Sequence, residues 1–215
     1  MIERVAKKSA KLVVREAKAQ ATVVGSMVGV MWAEEAVDFV LGGRLDALGI
    51  HPRTAWGLLG ILFAPFLHAG FGHLIANTIP LIVLSVLIML RRKRDLLVVS
   101  VASALVGGLG IWLIAPSNTV HLGASILVFG YLGYLLARGL FERKVWSIAG
   151  SVVAFVLYGG ALWGVLPGQV GISWQGHLFG FVGGVLAARW LSSRDSRIRV
   201  RSANTKPPAA LKQSA

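Results

Sequence analysis

Ser125 stands in His121-Leu-Gly-Ala-Ser125-Ile-Leu-Val-Phe, where one small polar residue follows Gly-x and then gives way to a long apolar run. A hydroxyl so placed has two uses. It can start a helix, because a serine oxygen accepts an N–H of the first turn. It can also act as a nucleophile, which requires a base that takes its proton and later returns it to the leaving amine. His177 is the candidate base, and His73, Asn77 and the Ser125 N–H are candidate donors for the oxyanion that acyl transfer creates. In the first turn of a helix, Ser125 also gains from the positive end of the helix dipole.

Other chemistries fit the inventory less well. The chain has no cysteine, which removes disulfides, thiolate metal sites and a thiol nucleophile. A zinc hydrolase needs two or three ligands and a general base, usually as His-Glu-x-x-His. His68 and His73 are five residues apart with no Glu between them, so even with His121 and His177 nearby no metal or other cofactor is expected. Asp95, Glu142 and Asp195 fall in basic loops, which leaves no carboxylate pair for aspartyl chemistry inside the later apolar runs. A Ser-His-Asp triad would have to draw its acid from Glu34, Glu35, Asp38 or Asp46. A Ser-His dyad needs nothing beyond what is present.

The elements that must position these residues are membrane helices. Of 215 residues, 55% are hydrophobic and 14% charged, whereas a soluble domain carries roughly a quarter charged. Apolar runs of about 17 to 21 residues match a hydrocarbon core of roughly 30 Å. They predict an all-α, polytopic membrane protein with six spans, over about 21–41, 73–90, 96–115, 122–136, 145–165 and 172–191. A shorter apolar stretch at 56–66 reads as interfacial or partly submerged. Residues 1–20 form a basic arm, either an interfacial amphipathic helix or a solvated segment. The basic tail 192–215, with Pro207-Pro208, is expected to be disordered.

The net charge of +13 is concentrated in the arm, at Arg91 to Arg94, at Arg138, Arg143 and Lys144, and in the tail. Alternation of this kind between loops is a topology signal rather than a nucleic-acid signal. It puts both termini in the cytoplasm, so the second, fourth and sixth spans begin at the outer face. His73 and Asn77, Ser125, and His177 lie near those three beginnings. Polar groups inside spans are scarce and are functional candidates by default. Gly180 and Gly184 follow His177 by three and seven residues, a strip of small residues on the imidazole's face that lets a neighbouring helix approach closely.

With His73-x-x-x-Asn77, Gly123-Ala-Ser125 and His177-x-x-Gly180-x-x-x-Gly184 in this order, the chain resembles the rhomboid family of intramembrane serine proteases over about 41–191. The resemblance implies that Ser125 is the nucleophile and His177 the base of an acid-free dyad, and that His73, Asn77 and the Ser125 N–H bind the oxyanion. It implies further that His68 supports the outer loops, and that the substrates are transmembrane proteins cut near the outer surface, entering sideways from the bilayer. A bacterial inner membrane is the expected location. A catalytically silent scaffold that binds membrane proteins is the alternative. Two positions depart from the family pattern. Ile126 replaces a Gly common after the serine, and its bulk is expected to narrow the approach to the oxyanion site. Phe129 replaces a common Tyr, keeping an aromatic face for the imidazole without the hydroxyl. A Trp-Arg pair found in the first outer loop of some members has no counterpart.

Overall fold

The computed structural model describes the backbone of residues 2–204 and side chains of residues 10–198. The described chain is 79% helix with no strand. Its order is α1 (Ile2–Leu41), a 3-10 turn (Leu45–Leu48), α2 (Ala55–Phe63), α3 (Phe71–Met89), α4 (Lys93–Ile114), α5 (Ser125–Glu142), α6 (Val145–Tyr158) continued by a 3-10 turn (Gly159–Val165), and α7 (Trp174–Asn204).

Four of these segments are long and apolar enough to cross a membrane: Phe71–Met89, Lys93–Ile114, Ser125–Glu142 and Val145–Val165. The first and sixth expected spans lie in α1 and α7, which do not reach that apolarity. Glu34, Glu35 and Asp38 interrupt the one, and Gln175, His177 and Arg189 dilute the other. The basic arm and first expected span are one continuous helix, α1, of 40 residues. At 1.5 Å per residue it is about 60 Å long, twice a hydrocarbon core. The short apolar stretch becomes α2, whose N-cap Thr54 accepts the Gly57 N–H at 3.0 Å.

The bundle is arranged around α5. Within its apolar window 72% of the residues are buried, against 6% in the α6 segment, which therefore lies at the periphery. Glycines set the spacing between α5 and α7. A Cβ on Gly184 would overlap the Gly130 carbonyl, and one on Gly133 would overlap that of Phe181. Gly183 faces α4 instead, where a Cβ would stand 2.7 Å from the Ala102 carbonyl oxygen. The strip expected beside His177 is thus a backbone-to-backbone contact with the serine-bearing helix. Tyr131, Tyr134, Leu74, Leu81, Leu84 and Ile88 fill the main core. A smaller core of Ile50, Ile61, Ala64, Ile111, Ala115 and Ile126 sits towards the start of α5.

The opposite end is closed by charges. Arg91 pairs with Glu142 at 2.6 Å and also with Asp195, and Arg92 meets Asp195 at 2.6 Å. Buried Arg138 reaches Glu142 at 3.3 Å and the Tyr134 hydroxyl, which donates to Asp95 at 3.1 Å. The α3–α4 turn, the end of α5 and the far part of α7 therefore share one face. Two of the four residues in the Arg91 to Arg94 cluster are consumed by these pairs. The same network corrects the expectation of a disordered tail from residue 192: α7 runs on to Asn204, with Asp195 clamped by Arg91 and Arg92. Residues 205–215, including Pro207-Pro208, lie outside the described residues.

Candidate active site

At the end opposite the charge network, the chain turns sharply into α5. Gly123 has φ +121°, a region that side chains rarely enter. Its N–H donates to the Ala64 carbonyl at 2.8 Å. The next N–H, of Ala124, donates to His68 Nε2 at 3.3 Å. His68 Nδ1 meets the Phe66 carbonyl at 3.2 Å, and a carbonyl can only accept, so Nδ1 holds the proton and Nε2 is the acceptor. Buried His68 thereby ties the α2–α3 loop to the serine turn.

Ser125 is the first residue of α5, and the capping position belongs to Ala124 with no side-chain cap bond. The helix-start use open to the sequence is not how this hydroxyl is employed. Among the described residues the Ser125 N–H has no hydrogen-bond partner, whereas those of Leu127 and Val128 both reach the Ala124 carbonyl. The Ser125 N–H is one of the orphan donors of a helix start, pointing where an anion is favoured.

His73 faces this turn from α3. A Cβ on Gly123 would lie 2.7 Å from His73 Cε1, 2.9 Å from Nε2 and 3.7 Å from Ser125 Oγ. Only glycine lets the imidazole and the hydroxyl flank the loop this closely. Asn77, one turn further along α3 and buried, donates from Nδ2 to the His73 carbonyl at 3.0 Å, which leaves its second amide hydrogen uncommitted. The rings of His68 and His73 meet edge-on at 5.2 Å.

His177 lies in the first turn of α7. Its Nδ1 is 2.9 Å from the Gly164 carbonyl, which again assigns the proton to Nδ1 and leaves Nε2 with a bare lone pair. The ring stacks on Phe129 with centroids 3.9 Å apart and planes 10° from parallel. Phe129 is one helical turn beyond Ser125, so this stacking brings the imidazole onto the serine's face. Gly176 and Gly180, which bracket His177, pack on Ile126. His177 is therefore level with the start of α5. Ser125 Oγ and His177 are not hydrogen-bonded to each other in this structure; such contacts are commonly loose before substrate arrives.

The structure changes the reading of Ile126. Its side chain is buried in the smaller core, with Cγ1 towards Gly176 on α7 and Cγ2 against Gly107 on α4. Its bulk is taken up between α4 and α7, and the missing side chain at Gly107 makes room for it. The four acidic candidates gather elsewhere, at the end of α1. Asp38 accepts the Leu45 N–H at 2.6 Å, Glu35 is buried near Gly70, and none of the four bonds to His177.

Two features had no signal in the sequence. The Gly164 carbonyl that orients His177 is a backbone group, which any residue type supplies. Its position is legible only in the fold, where a Cβ on Gly164 would come 3.0 Å from His177 Nδ1 and 3.1 Å from Phe129. The second is His121, grouped in the sequence only with possible metal ligands. It bonds instead to Ser173 at 2.7 Å and Thr119 at 2.8 Å.

A helical membrane bundle with serine, histidine and asparagine gathered at one end defines a class, and comparison with known proteins places the chain within it. A model of the Rhomboid domain matches residues 54–194. The chain belongs to the rhomboid family. It is 44% identical over 186 residues to an uncharacterized protein of Mycobacterium tuberculosis (strain H37Rv), covering 83% of this chain and 78% of the relative. An uncharacterized protein of Mycobacterium leprae is 41% identical over 192 residues, covering 85% and 76%. A Bacillus subtilis protein named "Putative rhomboid protease YdcA" is 32% identical over 143 residues, covering 65% and 68%.

Proposed function

We propose that this protein is an intramembrane serine endopeptidase that cuts transmembrane proteins near the outer membrane surface with a Ser125–His177 dyad. The observation that carries the reading is the His177 tautomer. With Nδ1 tied to the Gly164 carbonyl and the ring held on Phe129, one turn beyond Ser125, Nε2 is left free to serve as the base. A backbone carbonyl thus does the orienting that an acid does in a triad.

In the proposed reaction Ser125 Oγ attacks the scissile carbonyl carbon while His177 Nε2 takes the hydroxyl proton. The carbonyl oxygen becomes an oxyanion, held by the Ser125 N–H, the free Asn77 amide hydrogen and His73. Collapse breaks the C–N bond, and His177 returns its proton to the departing amine. Water then attacks the acyl-serine with the same base, releasing the carboxylate and restoring Ser125. Donors fixed before the charge develops are the main source of such rate enhancement.

The two ends of the bundle support the membrane setting. The basic α3–α4 and α5–α6 turns and the extension of α7 share the charged end, and the proposed dyad lies at the other. Taking α1 and α7 as further spans gives six, with both termini and the charge network on the cytoplasmic side of a bacterial inner membrane.

The test is reconstitution in liposomes with a model transmembrane substrate. Ser125→Ala and His177→Ala should each lower turnover by about four to six orders of magnitude, and a fluorophosphonate probe should label wild type but not Ser125→Ala. Asn77→Ala should lower turnover roughly 100-fold with little change in KM. Equal cleavage by all four proteins would overturn the dyad. A folded wild type that binds substrate yet neither cleaves nor labels would instead point to the silent scaffold.

A further inference from the structure

Pro116, Thr119, His121, Ser173 and Gly176 form one continuous hydrogen-bond chain between the α4–α5 loop and the start of α7. Thr119 Oγ1 donates its single hydrogen to the Pro116 carbonyl at 2.6 Å. Its contact with His121 Nε2 at 2.8 Å must therefore run the other way, from Nε2–H to the hydroxyl oxygen. In a neutral imidazole Nδ1 is then an acceptor, so the 2.7 Å contact with Ser173 is a donation from Ser173 Oγ. That oxygen in turn accepts the Gly176 N–H at 3.3 Å, as an N-cap does, while the Ser173 carbonyl receives the His177 N–H at 3.1 Å. Every donor and acceptor in the chain has one consistent assignment. Burial also holds the His121 imidazole below its ordinary pKa and so favours the neutral form that the chain requires.

The backbone of His121 is tied as firmly as its ring. Its N–H donates to the Ile50 carbonyl at 3.1 Å, and its carbonyl accepts the Ile50 N–H at 2.8 Å. The residue stands four positions before Ser125, and its partner Ser173 four positions before His177. No other side-chain hydrogen bond among the described residues joins the segment leading into α5 to the segment leading into α7 at this end of the bundle.

We infer that His121 is a positioning residue: through Ser173 it holds the first turn of α7 in register with the first turn of α5, and so keeps His177 aligned with Ser125. This rests on the protease reading of the same site. The physical need is plain, since the two side chains come from helices far apart in sequence. A misplacement of about 1 Å between reacting groups can cost roughly 100-fold in rate.

The test uses the full-length protein in liposomes. His121→Phe keeps bulk and removes both ring bonds; it should lower kcat about 10- to 100-fold with KM within about twofold, and slow fluorophosphonate labelling in parallel. His121→Gln offers one donor and one acceptor and should recover most of that loss. Adding His121→Phe to Ser173→Ala should lower kcat little further, because the bond is already gone. A residue that merely supports the fold would lower the melting temperature without this split between kcat and KM. If His121→Phe does not fold, Thr119→Val, which removes the acceptor for Nε2–H, should show the same split more weakly. A kcat within twofold of wild type in the folded variants would overturn the inference. If wild type neither cleaves nor labels, the protease reading falls, and amide hydrogen exchange at Gly176 and His177 decides the clamp. Faster exchange in His121→Phe supports it, and unchanged exchange overturns it.

Discussion

The two ends of the bundle solve the same problem with opposite means. At one end, five charged side chains — Arg91, Arg92, Arg138, Glu142 and Asp195 — together with buried Asp95 lock three elements together. At the other, the locks are neutral: the His68–Ala124, His177–Gly164 and His121–Ser173 bonds, and glycine contacts between helix backbones. Ion pairs need partners wherever they are buried, and each removed partner strands a charge. Neutral imidazole bonds avoid that cost, and the one at His177 leaves Nε2 free. The proposed dyad, which has to move a proton, lies at this neutral end.

The sharpest way to break this comparison is at the charged end. Arg138→Met removes one side of a buried pair with Asp95 and Glu142, and should destabilise the protein by about 3–5 kcal/mol in a detergent unfolding titration. The surviving folded fraction should still label at Ser125 at the wild-type rate. Equal stability would mean that the network contributes nothing to holding the inner end.

At the neutral end, Gly184→Ala places a methyl group against the Gly130 carbonyl. Backbone cannot give way as a side chain tip can, so α5 and α7 must separate, at a cost of about 1–3 kcal/mol. Unlike Arg138→Met, this change should also slow fluorophosphonate labelling, because it moves His177 relative to Ser125. Separate effects on stability and labelling would show that the two ends are independent.

The smallest expected effect is on pH dependence. Burial lowers the His121 pKa in the folded protein below its ordinary value of 6.5, so on acidification the unfolded chain takes up this proton first. The stability it contributes is complete above pH 6.5 and is lost as pH falls through the lowered folded value. Melting temperature measured between pH 7.5 and 5 should therefore fall more steeply for wild type than for His121→Gln. Parallel curves would show that His121 is not held neutral by the fold.

Much of the architecture was legible because membranes impose simple length rules. The runs at 73–90 and 96–115 differ from α3 and α4 by only a few residues at each boundary. The strip of Gly180 and Gly184 was readable as a close-packing face because helical spacing is a local property. The limits were equally physical. Ser125 looked like a possible cap because serine is common at that position, yet Ala124 occupies it, a choice made by the Gly123 and Ala124 bonds to Ala64 and His68. Ile126 looked obstructive because sequence gives size without direction, and only packing against Gly107 shows where the bulk goes. Past Leu191, Asp195 of α7 meets arginines more than a hundred residues away, a pairing no local pattern announces.

By itself, then, the sequence determined which segments are apolar, where charge gathers, and which few polar residues stand at helix starts, since composition and helical period are properties of neighbours. Tertiary structure alone decided which nitrogen of His177 is free, because a backbone carbonyl at Gly164 sets it and carbonyls carry no residue identity. It also decided that His121 bridges to Ser173, because a hydrogen bond between two loops exists only once four helices have brought them together.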